Sequence, residues 1–328
     1  MHARIRATGH YVPPKILTNA DLEKLMDTTD AWIVERTGIR ERHVVEPGVG
    51  PADLALEATK QALEEAGWQP QDIEFIIFAT LSPEMPAPGS ACLLQEKLGI
   101  APVGALDIRT QCSGFVYGLS IADAFIRSGM YRRVLLVASE VQSPFLDMST
   151  RGRDTAVLFG DGAGVALLEA AEEPGVLSTH LHADGRYARE LCIQSPSSLD
   201  HPPICPERMQ QGKHYPYMNG REVFKTAVAT FPKAVKEALA HNGHGLEDLD
   251  LLILHQANAR IVEAVARFLR LPPGKMFNNI EKYGNTTAAS IPIALDEARK
   301  AGRVRDGALV CLAAFGAGFT WGSALIRC

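Results

Sequence analysis

None of the six cysteines, at positions 92, 112, 192, 205, 311 and 328, is spaced from another as CxxC. That disfavours a zinc site and a disulfide framework alike and leaves reduced thiols of the kind a cytosolic enzyme carries. No run of like charge is long enough for a nucleic-acid arm, and a balance of 33 basic against 38 acidic residues is mildly acidic, so nucleic acid is not an expected partner. The longest weakly polar run, 309–322, is short for a bilayer and broken by Gly316, Gly318 and Gly322, which excludes membrane insertion there. The stretch MHARIRATGHYVPPKILTNADLE has basic residues without an apolar core and a small-residue cleavage site; a cytoplasmic protein without a secretory signal is expected. No glycine patch completes a dinucleotide fingerprint, since FGDGAG at 159–164 and FGAGF at 315–319 lack the full GxGxxG opening a helix with an acidic residue about 20 positions on.

What the chain does have is an internal repeat. With 328 residues it exceeds one simple core, so two subdomains or one large layered unit are expected. QALEEAGWQPQDIEFIIFAT lies over EALAHNGHGLEDLDLLILHQA with Asp72 on Asp248 and no gap, each an amphipathic helix followed by an apolar strand. Each copy then predicts a helix (91–98; 259–269), an extended piece, and a helix leading into a strand (112–140; 285–314), which puts Cys112 and Asn285 at corresponding points. Alternating helices and apolar strands make mostly parallel sheets with helices on their faces. Two such α/β halves packed as a pseudo-dimer follow, 1–174 carrying Cys112 and 175–328 carrying His255 and Asn285. Upstream, 18–37 is polar and helix-prone, with Asn19 as one N-cap and 27–30 as the cap of a second turn.

Ligands in such sheets collect at the carboxyl ends of strands and the helix N-termini beyond them. Cys112 lies where the run LDIRT gives way to an apolar-periodic helix. There, backbone N–H groups and the helix dipole favour thiolate over thiol; the alternative is a small apolar core residue. His255 ends the strand 249–254, and Asn285 follows Tyr283 and Gly284 at a helix start. Their alternatives are a hydrogen-bonded core histidine and a helix N-cap. Glycines after the strand 308–314 bring bare backbone N–H groups to its end, which suits an oxyanion. Trp32 and Arg36, four apart on one helix face, either stack a flat ligand such as an adenine or form a surface cation–π pair. The stretch 186–217, with five prolines and Cys192 and Cys205, reads as a long irregular excursion that lines or covers a substrate tunnel.

Together QCSGF around Cys112, HQAN at 255–258, YGNTTAAS at 283–290 and FGAGFTWGSAL at 315–325, with DTTDAWIVERTGIRERH, STRG and FGDGAG, closely resemble β-ketoacyl-acyl-carrier-protein synthase III, over essentially the whole chain. The resemblance implies a thiolase-like α-β-α-β-α layered fold, a homodimer, and the condensation of an acyl thioester with malonyl-acyl-carrier protein to start fatty acid or related polyketide synthesis. It implies that Cys112 is acylated from acyl-CoA or acyl-carrier protein, that His255 and Asn285 stabilise the enolate left by decarboxylation, and that the N–H groups of Cys112 and Ala317 hold the tetrahedral oxyanion. By the same resemblance Trp32, Arg36 and Arg151 clasp coenzyme A, while Lys225, Arg260 and Arg267 offer a basic patch to the acidic carrier protein. No metal or redox cofactor is required by that chemistry.

Departures from the family pattern bear on specificity. Ala87 stands where members preferring short primers often carry a large aromatic that closes the neighbouring subunit's acyl pocket, so a deeper tunnel is implied. The glutamate that head-to-head condensing relatives place near this position is absent. Competing readings remain: a secondary-metabolite acyltransferase using another nucleophile, a hydrolase built on Cys, His and Asn, and a binding protein with a dead site.

Overall fold

Apolar strands buried on both faces need helices on both sides of their sheet. The computed structural model describes residues 1–272 and 274–328. Its principal strands are β1 (His2–Tyr11), β2 (Phe75–Ala79), β3 (Gly104–Ile108), β4 (Arg133–Glu140), β5 (Gly162–Ala171), β6 (Val176–Ala183), β7 (Leu251–Leu254), β8 (Met276–Phe277), β9 (Leu309–Gly316) and β10 (Thr320–Arg327). The helices that matter for the site are α1 (Asp30–Thr37), α2 (Pro51–Ala66), α3 (Ser90–Leu98), α4 (Gly114–Arg127), α5 (Gly220–His241), α6 (Ala259–Leu269) and α7 (Ser290–Lys300). One sheet runs β1-β5-β4-β2-β3 and the other β6-β10-β9-β7-β8. Strand order and direction repeat: the first two pairings in each sheet are antiparallel and the last two parallel.

The period-2 pattern of the strands sorts side chains into layers. Along β4, Val134, Leu136 and Ala138 enter the central core with Phe115 and Leu119 of α4, Ile291 and Leu295 of α7, and Leu312 of β9. Leu135 and Val137 face the other way and pack with Leu54, Leu63 and Leu94 of α2 and α3. On the far side, Phe231 and Leu239 of α5 and Val265 of α6 cover Leu252 and Ala313. The order is therefore α-β-α-β-α, a thiolase-like fold, with α4 and α7 sandwiched between the sheets.

The repeat is closer than expected, and one pairing changes. The overlay that sets Asp72 on Asp248 also sets Gln111 on Thr287, Gly114 at the start of α4 on Ser290 at the start of α7, and Glu140 at the end of β4 on Gly316 at the end of β9. Gln111 and Thr287 even share a left-handed backbone, φ 46° and 47°. The counterpart of Cys112 is thus Ala288, not Asn285. Asn285 does not open the helix either: it bridges Phe159 ahead of a short Thr287–Ala289 turn, and α7 starts at Ser290.

The first upstream cap shifts by one residue, while the second falls inside the expected 27–30. Thr18 caps Asn19–Leu22 and Thr29 caps α1, because their hydroxyls accept the N–H groups of Asp21 and Trp32. Asn19 is left to donate from a buried position to Asp30 and to the Ile39 carbonyl. The excursion 186–217 is mostly irregular, with a short helix Pro206–Gln210 and a two-residue ladder between Leu191–Cys192 and Tyr217–Met218. Among the described residues no helix is long and apolar enough to cross a membrane.

Phe115, fully buried in the central layer, is expected to cost about 3–5 kcal/mol of stability when replaced in Phe115→Ala. Phe268, 62% exposed on α6, is expected to stay within about 0.5 kcal/mol on the same substitution. Urea-unfolding midpoints of the two variants check the contrast.

Candidate active site

Between β3 and α4 the chain makes a tight turn, Gln111–Ser113, entered through the left-handed Gln111. A non-glycine residue in that region is strained and persists only when its surroundings hold it. Here Thr320 bonds across to the Ser113 hydroxyl, while its own backbone carbonyl accepts from Ser113 Oγ at 3.1 Å. Thr320 Oγ1 also donates to the Ala317 carbonyl at 3.1 Å, so the glycine-rich turn after β9 is stitched to the cysteine turn. Gly316 makes the approach possible, since a Cβ there would lie 2.8 Å from Cys112 Cβ and 3.1 Å from Cys112 N. The backbone around Ala317 is thereby brought against the Cys112 N–H.

His255 follows β7, its N–H donating to the Ala313 carbonyl at 2.8 Å. Its Nδ1 is 2.6 Å from Ser290 Oγ at the start of α7. Ser290 Oγ also accepts the Gln256 N–H at 3.3 Å; with the Ser290 hydroxyl proton directed at Nδ1, the ring proton sits on Nε2. Asn285 is pinned by its backbone, N to the Leu158 carbonyl at 2.8 Å and carbonyl to Gly160 N at 3.1 Å. Its Oδ1 accepts the Thr287 N–H at 2.9 Å, so the Nδ2 protons are the part of the amide left for a ligand. His255 and Asn285 do not contact each other through Nδ1 and Oδ1, as a Cys-His-Asn hydrolase relay requires.

Cys112, His255 and Asn285 all line the buried end of one cavity of about 540 Å³. Burial holds His255 neutral, its pKa lowered to about 3. The expectation of a readily formed thiolate is overturned for the resting site: burial, helped by the nearby Glu140 carboxyl, pushes the Cys112 thiol up to about 12, against a smaller opposing pull from its own backbone N–H. Desolvation outweighs the helix start because the sulfur is enclosed, whereas the cysteines that helix termini activate are partly exposed.

The exposed end of the cavity is basic, with Trp32, Arg36, Arg221 and Arg260 in its lining. Arg36 and Arg153 each set a guanidinium 4.7 Å from the Trp32 ring centroid. Arg151, expected there, instead bonds Asp147 and lies 5.7 Å over Tyr215 of the excursion. The two arginines flank Gly152 in one turn, and only the fold decides which faces Trp32. Arg260 lies over Phe224, and the Asn258 amide ties α6 to α1 through the Arg36 carbonyl. Arg267 is exposed on the same helix; Lys225 is exposed, paired with Glu222, and outside the cavity lining. From the excursion Leu191 lines the cavity. Ala87 is exposed, away from this chain's own cavity.

Three buried residues that pattern reasoning passed over support the site. Ser290 fixes the imidazole. Arg42, fully buried, donates to the Leu17 and Val157 carbonyls and to Asn19, bracing the 157–160 segment whose backbone holds Asn285, with burial lowering its pKa to about 10. Glu140 closes β4 beside Cys112. Their partners are remote in sequence, so no local spacing marks them.

Residues 106–185 match the family model 3-oxoacyl-[acyl-carrier-protein (ACP)] synthase III, and 239–328 match that family's C-terminal model. The chain is 48% identical over 326 residues to the beta-ketoacyl-[acyl-carrier-protein] synthase III of Thioalkalivibrio sulfidiphilus, covering 99% of each. It superposes with TM-score 0.91 and 42% identity on 3-oxoacyl-[acyl-carrier-protein] synthase III from Aquifex aeolicus, covering 99% of this chain and 100% of that one. The priming beta-ketosynthase from the R1128 polyketide biosynthetic pathway also superposes at TM-score 0.91, with 32% identity and coverage of 99% and 96%. Identity at this level across the full length, together with the shared layers, places the chain in the 3-oxoacyl-[acyl-carrier-protein] synthase III family of condensing enzymes.

Proposed function

We propose that this condensing enzyme works through an acyl-cysteine on Cys112 and a decarboxylation site formed by His255 and Asn285. The observation that carries the reading is the shared cavity, which holds these three side chains at its buried end and Trp32 with three arginines at its exposed end. The Cys112 sulfur attacks the carbonyl of an acyl-CoA or acyl-carrier-protein thioester; a carbon–sulfur bond forms, and the thiol proton departs with the leaving thiol. Malonyl-acyl-carrier protein then enters, with its thioester carbonyl between the Nε2–H of His255 and the Nδ2–H of Asn285.

Carbon dioxide leaves, and the electron pair of the broken carbon–carbon bond becomes an enolate whose oxygen these donors hold. The enolate carbon attacks the acyl-cysteine. The tetrahedral oxyanion rests on the N–H groups of Cys112 and Ala317 until it expels the Cys112 sulfur, which regains a proton. Neutral donors suit an enolate in a dry site, where each contributes about 3 kcal/mol to the transition state. No metal or redox group takes part in this route.

Coenzyme A or the carrier's phosphopantetheine enters from the basic end. Arg153 joins Trp32 and Arg36 there in place of Arg151, and Arg260 and Arg267, with Lys225 at the margin, face the acidic carrier protein. Ala87 and the free edge β3 support a homodimer in which Ala87 closes the partner's acyl tunnel, leaving room for longer or branched chains. Each half, 1–174 and 175–328, contributes its own strand-end groups, and the enzyme works in the cytoplasm.

His255→Ala and Asn285→Ala are expected to slow release of carbon dioxide from malonyl-carrier protein by about 10²–10³-fold while leaving acylation of the sulfur, followed by intact mass, close to wild type. Cys112→Ala is expected to abolish acylation. Acyl transfer without released carbon dioxide in the wild type would overturn the assignment in favour of a simple acyltransferase. For the thiol, a pKa near 12 means that thiolate grows about tenfold per pH unit below it. Alkylation of Cys112 by iodoacetamide should rise steadily from pH 7 to about pH 10, and Gly316→Ala, which drives a methyl against Cys112, should suppress it at every pH.

A further inference from the structure

Glu140 is fully buried at the end of β4, and nothing in the condensation scheme uses it. Its Oε2 accepts from Ser82 Oγ at 2.7 Å, Leu81 N at 3.0 Å, Gln142 Nε2 at 3.1 Å and Thr80 Oγ1 at 3.3 Å. Its Oε1 is buried and accepts from none of these. A carboxyl group so lopsided in its contacts has a second partner to find, because a buried polar atom left unpaired is costly.

The repeat shows where that partner is. Glu140 occupies in the first half the place that Gly316 occupies in the second. Gly316 stands against the Gln111–Ser113 turn and has no side chain, which leaves space for an oxyanion beside Cys112. Glu140 stands against the matching Thr287–Ala289 turn and fills the equivalent space with a carboxyl. Thr287 Oγ1 is likewise buried without a partner, and it is among the few groups that act on the Glu140 carboxyl, with Ser82, Leu81 and Gln142, all of them neutral. Thr287 is also a β-branched residue at φ 47°, a conformation that must be held by its surroundings. Its N–H carries the Asn285 Oδ1.

We propose that Glu140 is a positioning residue: its free Oε1 hydrogen-bonds Thr287 Oγ1, locks the strained turn, and so keeps the Asn285 amide with Oδ1 on the Thr287 N–H and Nδ2 toward the substrate. Burial without a cationic partner raises its pKa, and a charge there would oppose both the Cys112 thiolate and the enolate. The role rests on the reading of Asn285 as an enolate donor.

The test separates the two half-reactions. Acylation of Cys112 by acyl-CoA, and release of carbon dioxide by the acylated enzyme from malonyl-carrier protein, are timed for wild type, E140A, E140Q, T287V, T287S and N285A, with folding followed by thermal melting. E140A and T287V are expected to slow carbon dioxide release by about tenfold, the scale of one lost buried hydrogen bond with its stranded partner, and to leave acylation within about threefold. E140Q, whose amide donates to Thr287 while its oxygen keeps the other four donors, and T287S, which keeps the hydroxyl, are expected to recover most of the loss. Wild-type release in E140A or T287V overturns the proposal, as does a conservative variant no better than its partner, or an equal loss in both half-reactions. Should E140A fail to fold, the T287V and T287S pair carries the same comparison. Normal release in N285A overturns the reading of Asn285 itself; slow release in N285A with normal release in T287V overturns the role of Glu140 alone.

Discussion

Contact between two short turns at the centre of the molecule sets everything else at the site. Gln111–Ser113 leads into α4 and Thr287–Ala289 into α7, and both helices are buried between the two sheets. The turns can touch because residues at the crossing are small: a Cβ on Gly114 would come within 2.8 Å of Ala79 Cβ and 3.1 Å of Ala288 Cβ. A larger residue would part the halves and move the sulfur away from the imidazole and amide that arrive from the other side. Interiors pack too densely to absorb such a change without moving neighbours, so a steric condition at one glycine is also a condition on catalytic geometry.

Electrostatically the site is divided along its length. At the buried end Cys112, His255, Asn285 and Glu140 are enclosed, and burial favours the uncharged form of each that titrates. At the exposed end the lining includes Arg36, Arg221 and Arg260. Cations at the mouth attract phosphate-bearing carriers over a Debye length of about 8 Å in physiological salt. Fixed dipoles inside stabilise charge that exists only during reaction, without the desolvation cost of a resident ion. A protonated imidazole would bind a carboxylate well and so stabilise malonate before it loses carbon dioxide. The Ser290 contact and the burial of His255 both work against that ground-state binding.

Much of this was legible from residue order. The repeat, the alternation of helices and strands and the strand-end placement of Cys112 and His255 follow from hydropathy period and turn chemistry, which are local properties; the expected mostly parallel sheets are instead mixed, because β5 and β10 run antiparallel to both their neighbours. Asn285 was found for a partly mistaken reason: its motif was recognised, yet its assumed equivalence with Cys112 belongs to Ala288. The same ungapped overlay that sets Asp72 on Asp248 carries through to Cys112 on Ala288, so the true pairing was readable from the register of the repeat. The choice between Arg151 and Arg153 was equally closed to spacing, since residues two apart in an irregular turn diverge and only Asp147 and Trp32 separate them. The thiol's protonation was misjudged because the helix start is visible in sequence and the depth of burial is not.

The repeat also accounts for how one scaffold supports two unlike tasks. Equivalent positions carry opposite choices: Cys112 against Ala288 on the turns, and Gly316 against Glu140 at the ends of the strands that face them. In the proposed mechanism the Cys112 half matches a nucleophile with an opening, so charge can form on an oxygen beside it. In the other half an inert methyl is matched with a carboxyl that fills the opening, and the turn there serves to hold Asn285 instead. Backbone symmetry brings the two turns together, and side-chain asymmetry keeps them from competing for the same oxyanion. On the proposed mechanism a single cavity then binds the acyl carbonyl on one side and the malonyl carbonyl on the other, a separation that a fully symmetric pair would lack.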